Sequence, residues 1–241
     1  MKKLLTVLLG VLMVLSLAGC GQKENDEPQV DPAPTAANTY ADFVAADLET
    51  EVEVLMSVQG HQGWWQDGDQ GKVTVYGQCD EGGYFCYELL ADEATANAMT
   101  EGTLIRVKGV KSEWAGEVEI IEATAEILAG SYDGKVYEPT DVTALIGKDE
   151  LADKLNQKIT MKGLTVTALS KKDSEWDPDL YITVEANGTS FDLCVENYLT
   201  DPSTEVYKTA ETLEVGNTID ITGFLYWYNG PNPHVTAITI K

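Results

Sequence analysis

The sequence predicts a mainly β chain built from two tandem five-stranded barrels, each with a short helix, and three observations predict it. A glycine frame occurs twice, as Gly102, Gly109 and Gly116 and again as Gly216, Gly223 and Gly230, each member seven positions after the one before. Alternating apolar and polar runs fill matching places in both frames: Thr103 to Lys108 answers Asn217 to Thr222, and Val118 to Ile121 answers Val235 to Ile238. Ahead of each frame lies a hairpin-like pair of strand runs followed by a connector.

In chain order, the first element is a leader. Lys2 and Lys3 precede the apolar stretch Leu4 to Leu17, which runs into Leu17-Ala18-Gly19-Cys20. That stretch falls short of the roughly 20 residues a membrane-spanning helix needs, and small residues precede a cysteine where a stop-transfer segment would carry charge. Leu-Ala-Gly-Cys resembles the lipobox of bacterial lipoproteins, which implies that residues 1–19 are removed, that Cys20 carries the lipid, and that the protein sits outside the cytoplasm on the outer face of the cell membrane. Residues 20–38 are rich in Glu, Asp, Pro, Gln and Ala and read as a disordered tether of roughly 25 Å.

The body divides into a first domain at 39–130, a linker at 131–141 and a second domain at 142–241. In the first, Tyr40 to Leu48 reads as a short helical lead-in. Val73-Thr-Val-Tyr76 and Tyr84-Phe-Cys-Tyr87 then flank a glycine turn, and Ala91 to Met99 is an alanine-rich helical connector. In the second, Ile146 to Leu155 is the helix-like lead-in. Tyr181-Ile-Thr-Val184 and Phe191 to Val195 flank Asn187-Gly188, a strong hairpin signal, and the connector Asn197 to Val215 is interrupted by Pro202. Five strands with a helix between the third and fourth is the OB-fold plan.

The first copy carries Tyr76, an acidic-glycine turn, Tyr84-Phe85-x-Tyr87, and the run Glu101-Gly102-Thr103-x-Ile105-x-Val107-x-Gly109-x-Lys111-x-x-Trp114-x-Gly116-Glu117-Val118-Glu119. On these residues it resembles the OB-like repeats of uncharacterised Gram-positive surface lipoproteins. The second copy keeps the glycines and lacks the Lys-x-x-Trp wording. The resemblance implies fold and location and carries no catalytic residues.

With 40 acidic against 16 basic residues the net charge is −24, a surface that repels phosphate backbones and keeps an exported protein soluble. No nucleic-acid partner is therefore expected. Once Cys20 is lipidated three cysteines remain, too few and too unevenly spaced for a disulfide framework or a zinc site. Cys79 and Cys86 face each other if Gly82-Gly83 forms the two-residue loop, and fall out of register if the turn is Glu81-Gly82. His61 and His234 have no second ligand at metal spacing, and Asp67-Gly68-Asp69 lacks the third acidic position and closing Glu of a calcium loop. No metal, cofactor or catalytic pair is expected, and the chain reads as a non-enzyme.

On the OB plan Trp64, Trp65 and Trp176 fall between strands one and two, and Trp114 and Trp227 between strands four and five, with Tyr226 and Tyr228 beside the last. Those loops flank the ligand face of OB-folds. The expected function is a surface binding module whose aromatic loops hold a glycan or peptide, with an envelope scaffold or protein-interaction module as the alternative and single-stranded nucleic-acid binding ranked below both. The bland alternative is that the tryptophans fold back as core.

Overall fold

A computed structural model describes residues 38–128, 134–171 and 178–241. Trp176, Cys20, the leader and all of the tether except Asn38 lie outside the described residues. The first barrel consists of α1 (Tyr40–Ala45), β1 (Glu51–His61), β2 (Trp65–Asp67), β3 (Gln70–Gln78), β4 (Gly83–Leu90), α2 (Glu93–Ala98), β5 (Leu104–Trp114) and β6 (Glu117–Ile127). The second consists of β7 (Thr140–Asp141), β8 (Lys158–Lys171), β9 (Leu180–Ala186), β10 (Thr189–Val195), α3 (Glu205–Glu211), β11 (Thr218–Phe224) and β12 (His234–Ile240).

Pairing closes each sheet on itself. The first runs β1-β3-β4-β6-β5 and back to β1, with β4 and β6 parallel and the other pairs antiparallel. The second repeats this as β8-β9-β10-β12-β11-β8, again with one parallel pair, β10 with β12. This is the strand order of two OB barrels, each with its helix between the third and fourth long strands. Short β2 extends β3, and short β7 lies against β8.

Period-two alternation explains the inside of each barrel. Val52, Val54, Met56 and Val58 of β1 point into one core with Val73, Val75, Ile105, Val107 and Ile120. Ile159, Met161, Leu164 and Val166 of β8 do the same with Ile182, Val184, Leu193, Ile219 and Ile221. The central glycine of each frame marks a bulge. The register of β5 on β6 slips around Gly109, where an added Cβ would come within 2.7 Å of the Ile121 carbonyl, and β11 slips beside Gly223.

Side-chain caps set the helices. Thr39 and Asp42 form a reciprocal capping box on α1, and Asp92 caps α2 through a 2.7 Å bond from the Thr95 amide. Thr204 starts α3, so Pro202 lies ahead of that helix and does not break it. The Ile146 to Leu155 lead-in differs from the helix its sequence predicts. It forms one short 3-10 turn, Asp149–Lys154, which follows Gly147 at φ +82°; a second, Thr143–Leu145, precedes the segment, and neither has a side-chain cap bond.

The β3–β4 turn settles the cysteine register. Gln78 pairs with Gly83 and the Cys79 amide donates to the Gly82 carbonyl, so Asp80-Glu81 is the loop, and Cys86 faces Val75. Cys79, Cys86 and Cys194 form no disulfide. Cys86 and Cys194 are buried, as small apolar residues would be.

A third apolar cluster joins the barrels. Tyr76 and Phe85 on the outer face of the β3–β4 hairpin pack against Phe224 of β11, with Leu199 and Tyr226 around them. The rings of Tyr76 and Phe224 stack with centroids 4.4 Å apart. Backbone contacts reinforce the joint: the Asn156 side chain donates to the Val118 carbonyl at 2.9 Å, and the Lys158 amide donates to Gln78 Oε1 at 3.0 Å.

Candidate functional site

The loops between the fourth and fifth strands of the two barrels meet. The first barrel's tight turn, Ala115-Gly116, sits on the second barrel's Tyr226-to-Asn232 loop: the Asn229 amide donates to the Ala115 carbonyl at 2.7 Å, and the Trp227 amide donates to Glu117 Oε2 at 2.8 Å. The indole of Trp227 lies against Gly116, where a Cβ would come within 2.7 Å of its Cδ1.

Beside this contact opens a cleft of about 780 Å³. Trp114 lines it from the first barrel, and Tyr181, Asp192, Tyr226, Tyr228 and His234 are among its second-barrel walls. Trp114 is 63% exposed and Tyr228 56%, so neither is spent on a core. Asp179, Glu196 and Ser190 also reach the cleft. Asp192 is held by a 2.7 Å bond from the Thr183 hydroxyl. The cleft therefore offers π faces for stacking and carboxylate oxygens that accept hydrogen bonds.

Burial shapes the titrating groups around it. The His234 imidazole is pushed down to about 3 by desolvation and is neutral at ordinary pH. Glu117 is fully buried behind the cleft wall; burial pushes its carboxyl up to about 8, against the opposing pull of the Trp227 amide. Burial also raises the hydroxyls of Tyr181 and Tyr226 above the usual tyrosine range, so both are donors.

The aromatics singled out in the sequence divide between core and cleft. Trp114, Tyr226 and Tyr228 come together at the cleft. Trp227 adjoins it but packs against the second barrel's core. Trp64 lies against the first barrel's core with its indole donating to the Ala91 carbonyl at 2.9 Å, and Trp65 is on the β2–β3 hairpin with the Lys72 ammonium 5.0 Å from its ring centroid. Neither lines the cleft. His234, Tyr181 and Asp192 are cleft residues that sequence reasoning missed, because their strand alternation is ordinary and only the barrel-to-barrel joint gives their face a partner. Among the described residues no group of His, Cys, Asp and Glu is arranged to hold a metal ion, and no helix is long and apolar enough to cross a membrane.

No protein family model matches the chain, and no curated protein matches it. Solved structures do. A murine DNA-binding protein bound with double-stranded DNA is similar over 78% of this chain and 97% of its own, at 11% identity and a TM-score of 0.38. The p204 HINb domain is similar over 81% of this chain and all of its own, at 9% identity and a TM-score of 0.37. A replication protein A heterotrimer bound to single-stranded DNA is similar over 80% of this chain and 49% of its own, at 14% identity and a TM-score of 0.34. The sequence expectation put a glycan or peptide first and single-stranded nucleic acid last, and it is corrected in one respect: the solved structures similar to this chain include chains in complex with double- and single-stranded DNA, so nucleic acid is not set aside. At such identities the likeness concerns fold, so the ligand must be argued from the cleft itself.

Proposed function

We propose that this chain is a non-catalytic, lipid-anchored protein of the extracytoplasmic surface, similar to Gram-positive surface lipoproteins with OB-like repeats, whose inter-barrel cleft binds nucleic acid through its bases. The observation that carries the base reading is the cleft wall itself, in which exposed Trp114 and Tyr228 from different barrels stand beside Asp192. Aromatic faces stack on any base, and a carboxylate accepts from the amino and imino groups that bases present. The net charge of −24 opposes a phosphate track, so the bases and not the backbone are what this surface favours. The leader-like residues 1–19 and Cys20 support the anchor.

The test is a titration followed by tryptophan fluorescence, with guanosine, its monophosphate and a short single-stranded oligonucleotide. Trp114→Ala and Tyr228→Ala should each weaken guanosine binding about five- to a hundredfold, the range of about 1–3 kcal/mol per stacked base. Added salt should leave oligonucleotide binding level or strengthen it, by screening like charges. A steep loss of affinity with salt would mean phosphate capture at some basic patch and would sink the base reading.

A further inference from the structure

His234 opens β12 and lies at the joint between the barrels. Its Nδ1 lies 2.6 Å from the Tyr76 hydroxyl oxygen of the first barrel, its ring stacks on Tyr226 with centroids 4.2 Å apart, and it lines the cleft. Tyr76 is itself immobilised, fully buried and stacked on Phe224. The Gln62 amide nitrogen lies 3.4 Å from the Tyr76 oxygen. An amide nitrogen only donates, so the tyrosine oxygen accepts there and its own hydrogen is directed to the remaining partner, Nδ1 of His234. A neutral imidazole that accepts at Nδ1 carries its proton on Nε2, on the far side of the ring.

We infer that Tyr76 of the first barrel is a positioning residue that fixes His234 as the Nε2–H tautomer, making His234 the specificity-determining hydrogen-bond donor of the cleft for a base that offers a ring-nitrogen or carbonyl acceptor. Burial supports this by keeping the imidazole neutral across the working pH range. The inference rests on the reading of the cleft as a base site. It adds that recognition is divided: the second barrel supplies the donor, and the first decides which nitrogen bears the hydrogen. Asp192 accepts and His234 donates, so the cleft is suited to guanine, whose edge presents imino and amino donors next to a carbonyl acceptor.

Long-range proton–nitrogen correlation spectra of the full chain test the tautomer without any ligand. The expected result is a protonated Nε2 and an unprotonated Nδ1 at His234 from pH 5 to 8, with Tyr76→Phe shifting both nitrogens toward mixed tautomers while the rest of the spectrum keeps its dispersion. A protonated Nδ1 in the unsubstituted chain overturns the inference outright, whether or not the variants fold. In parallel, guanosine titrations should weaken at least tenfold in His234→Phe and severalfold in Tyr76→Phe. Guanosine that binds the unsubstituted chain and both variants equally removes His234 from recognition and leaves the cleft reading standing. A wild-type chain that binds no base overturns both readings together.

Discussion

Replacing Glu117 with Gln should abolish a pH dependence that burial has built into the joint. The carboxyl is fully buried where the two turns meet; Oε2 accepts from the Trp227 amide at 2.8 Å, and Oε1 has no partner within hydrogen-bond distance among the described residues. An ionised carboxylate there lacks most of its solvation, which is why the proton is held to about pH 8 and not released near the ordinary 4.5. With the folded value raised above the unfolded one, the folded state binds a proton that the unfolded chain lacks between those limits. Stability is therefore fully present below about 4.5 and falls as pH rises toward 8. Each pH unit in that window costs about 1.4 kcal/mol, or about 3 kcal/mol from pH 5 to 7. Glutamine keeps an oxygen for the Trp227 amide and cannot ionise. The assay is urea denaturation of both chains at pH 5, 6, 7 and 8, read as variant minus wild type so that the other carboxylates, Glu119 included, largely cancel. The difference should be small at pH 5 and reach about 3 kcal/mol in favour of Gln by pH 7. Parallel curves, with a constant difference across the range, would refute the reasoning.

Three other outcomes follow from the packing. Lys111 donates to the Phe43, Val44 and Ala46 carbonyls at 2.9, 2.9 and 2.7 Å and so closes the end of α1; Lys111→Met should cost about 2–4 kcal/mol in a urea midpoint while leaving barrel circular dichroism unchanged. At Gly83 an added methyl would meet the Asn156 backbone, so Gly83→Ala should destabilise by about 1–3 kcal/mol by calorimetry, whereas Gly188→Ala, with open space around it, should show only the smaller strain of its positive φ. Alkylation followed by mass spectrometry should label Cys79 first, label Cys86 and Cys194 only after denaturation, and find no bridge between Cys79 and Cys86.

Much of the barrel architecture was legible because the devices that build it are local. The central glycines of the two frames sit at bulges, and strand alternation sorted Val54, Met56, Ile219 and Ile221 to the inside. The joint was not legible as such, though it left a trace. Val73-Thr-Val-Tyr76 and Tyr84-Phe-Cys-Tyr87 are apolar on both faces toward the loop ends, the mark of strands covered on both sides, and Tyr76 and Phe85 turned out to face the other barrel. The ten-residue lead-in of the second domain was misread as a helix because its apolar spacing outweighed Gly147 and the missing cap. Of the aromatic set, Trp114, Tyr226 and Tyr228 reach the cleft while Trp64 and Trp227 pack against the two cores, a division set by which loops find a partner and invisible to residue type. Net charge, on which nucleic acid ranks last, reports on backbone capture and says little about stacking on bases.

The joint is head-to-tail: the outer face of the first barrel's β3–β4 hairpin is seated on the second barrel's β11 and the loop after it. Heterologous contacts of this kind between related units extend without limit unless something stops them. The second barrel's matching hairpin, β9–β10, turns Tyr181, Thr183, Asp192 and Cys194 outward where the first offers Tyr76 and Phe85. A carboxylate in that position cannot repeat the ring stack that Tyr76 makes on Phe224, and the face that is consumed by packing in the first barrel is left open in the second as the wall of a cleft.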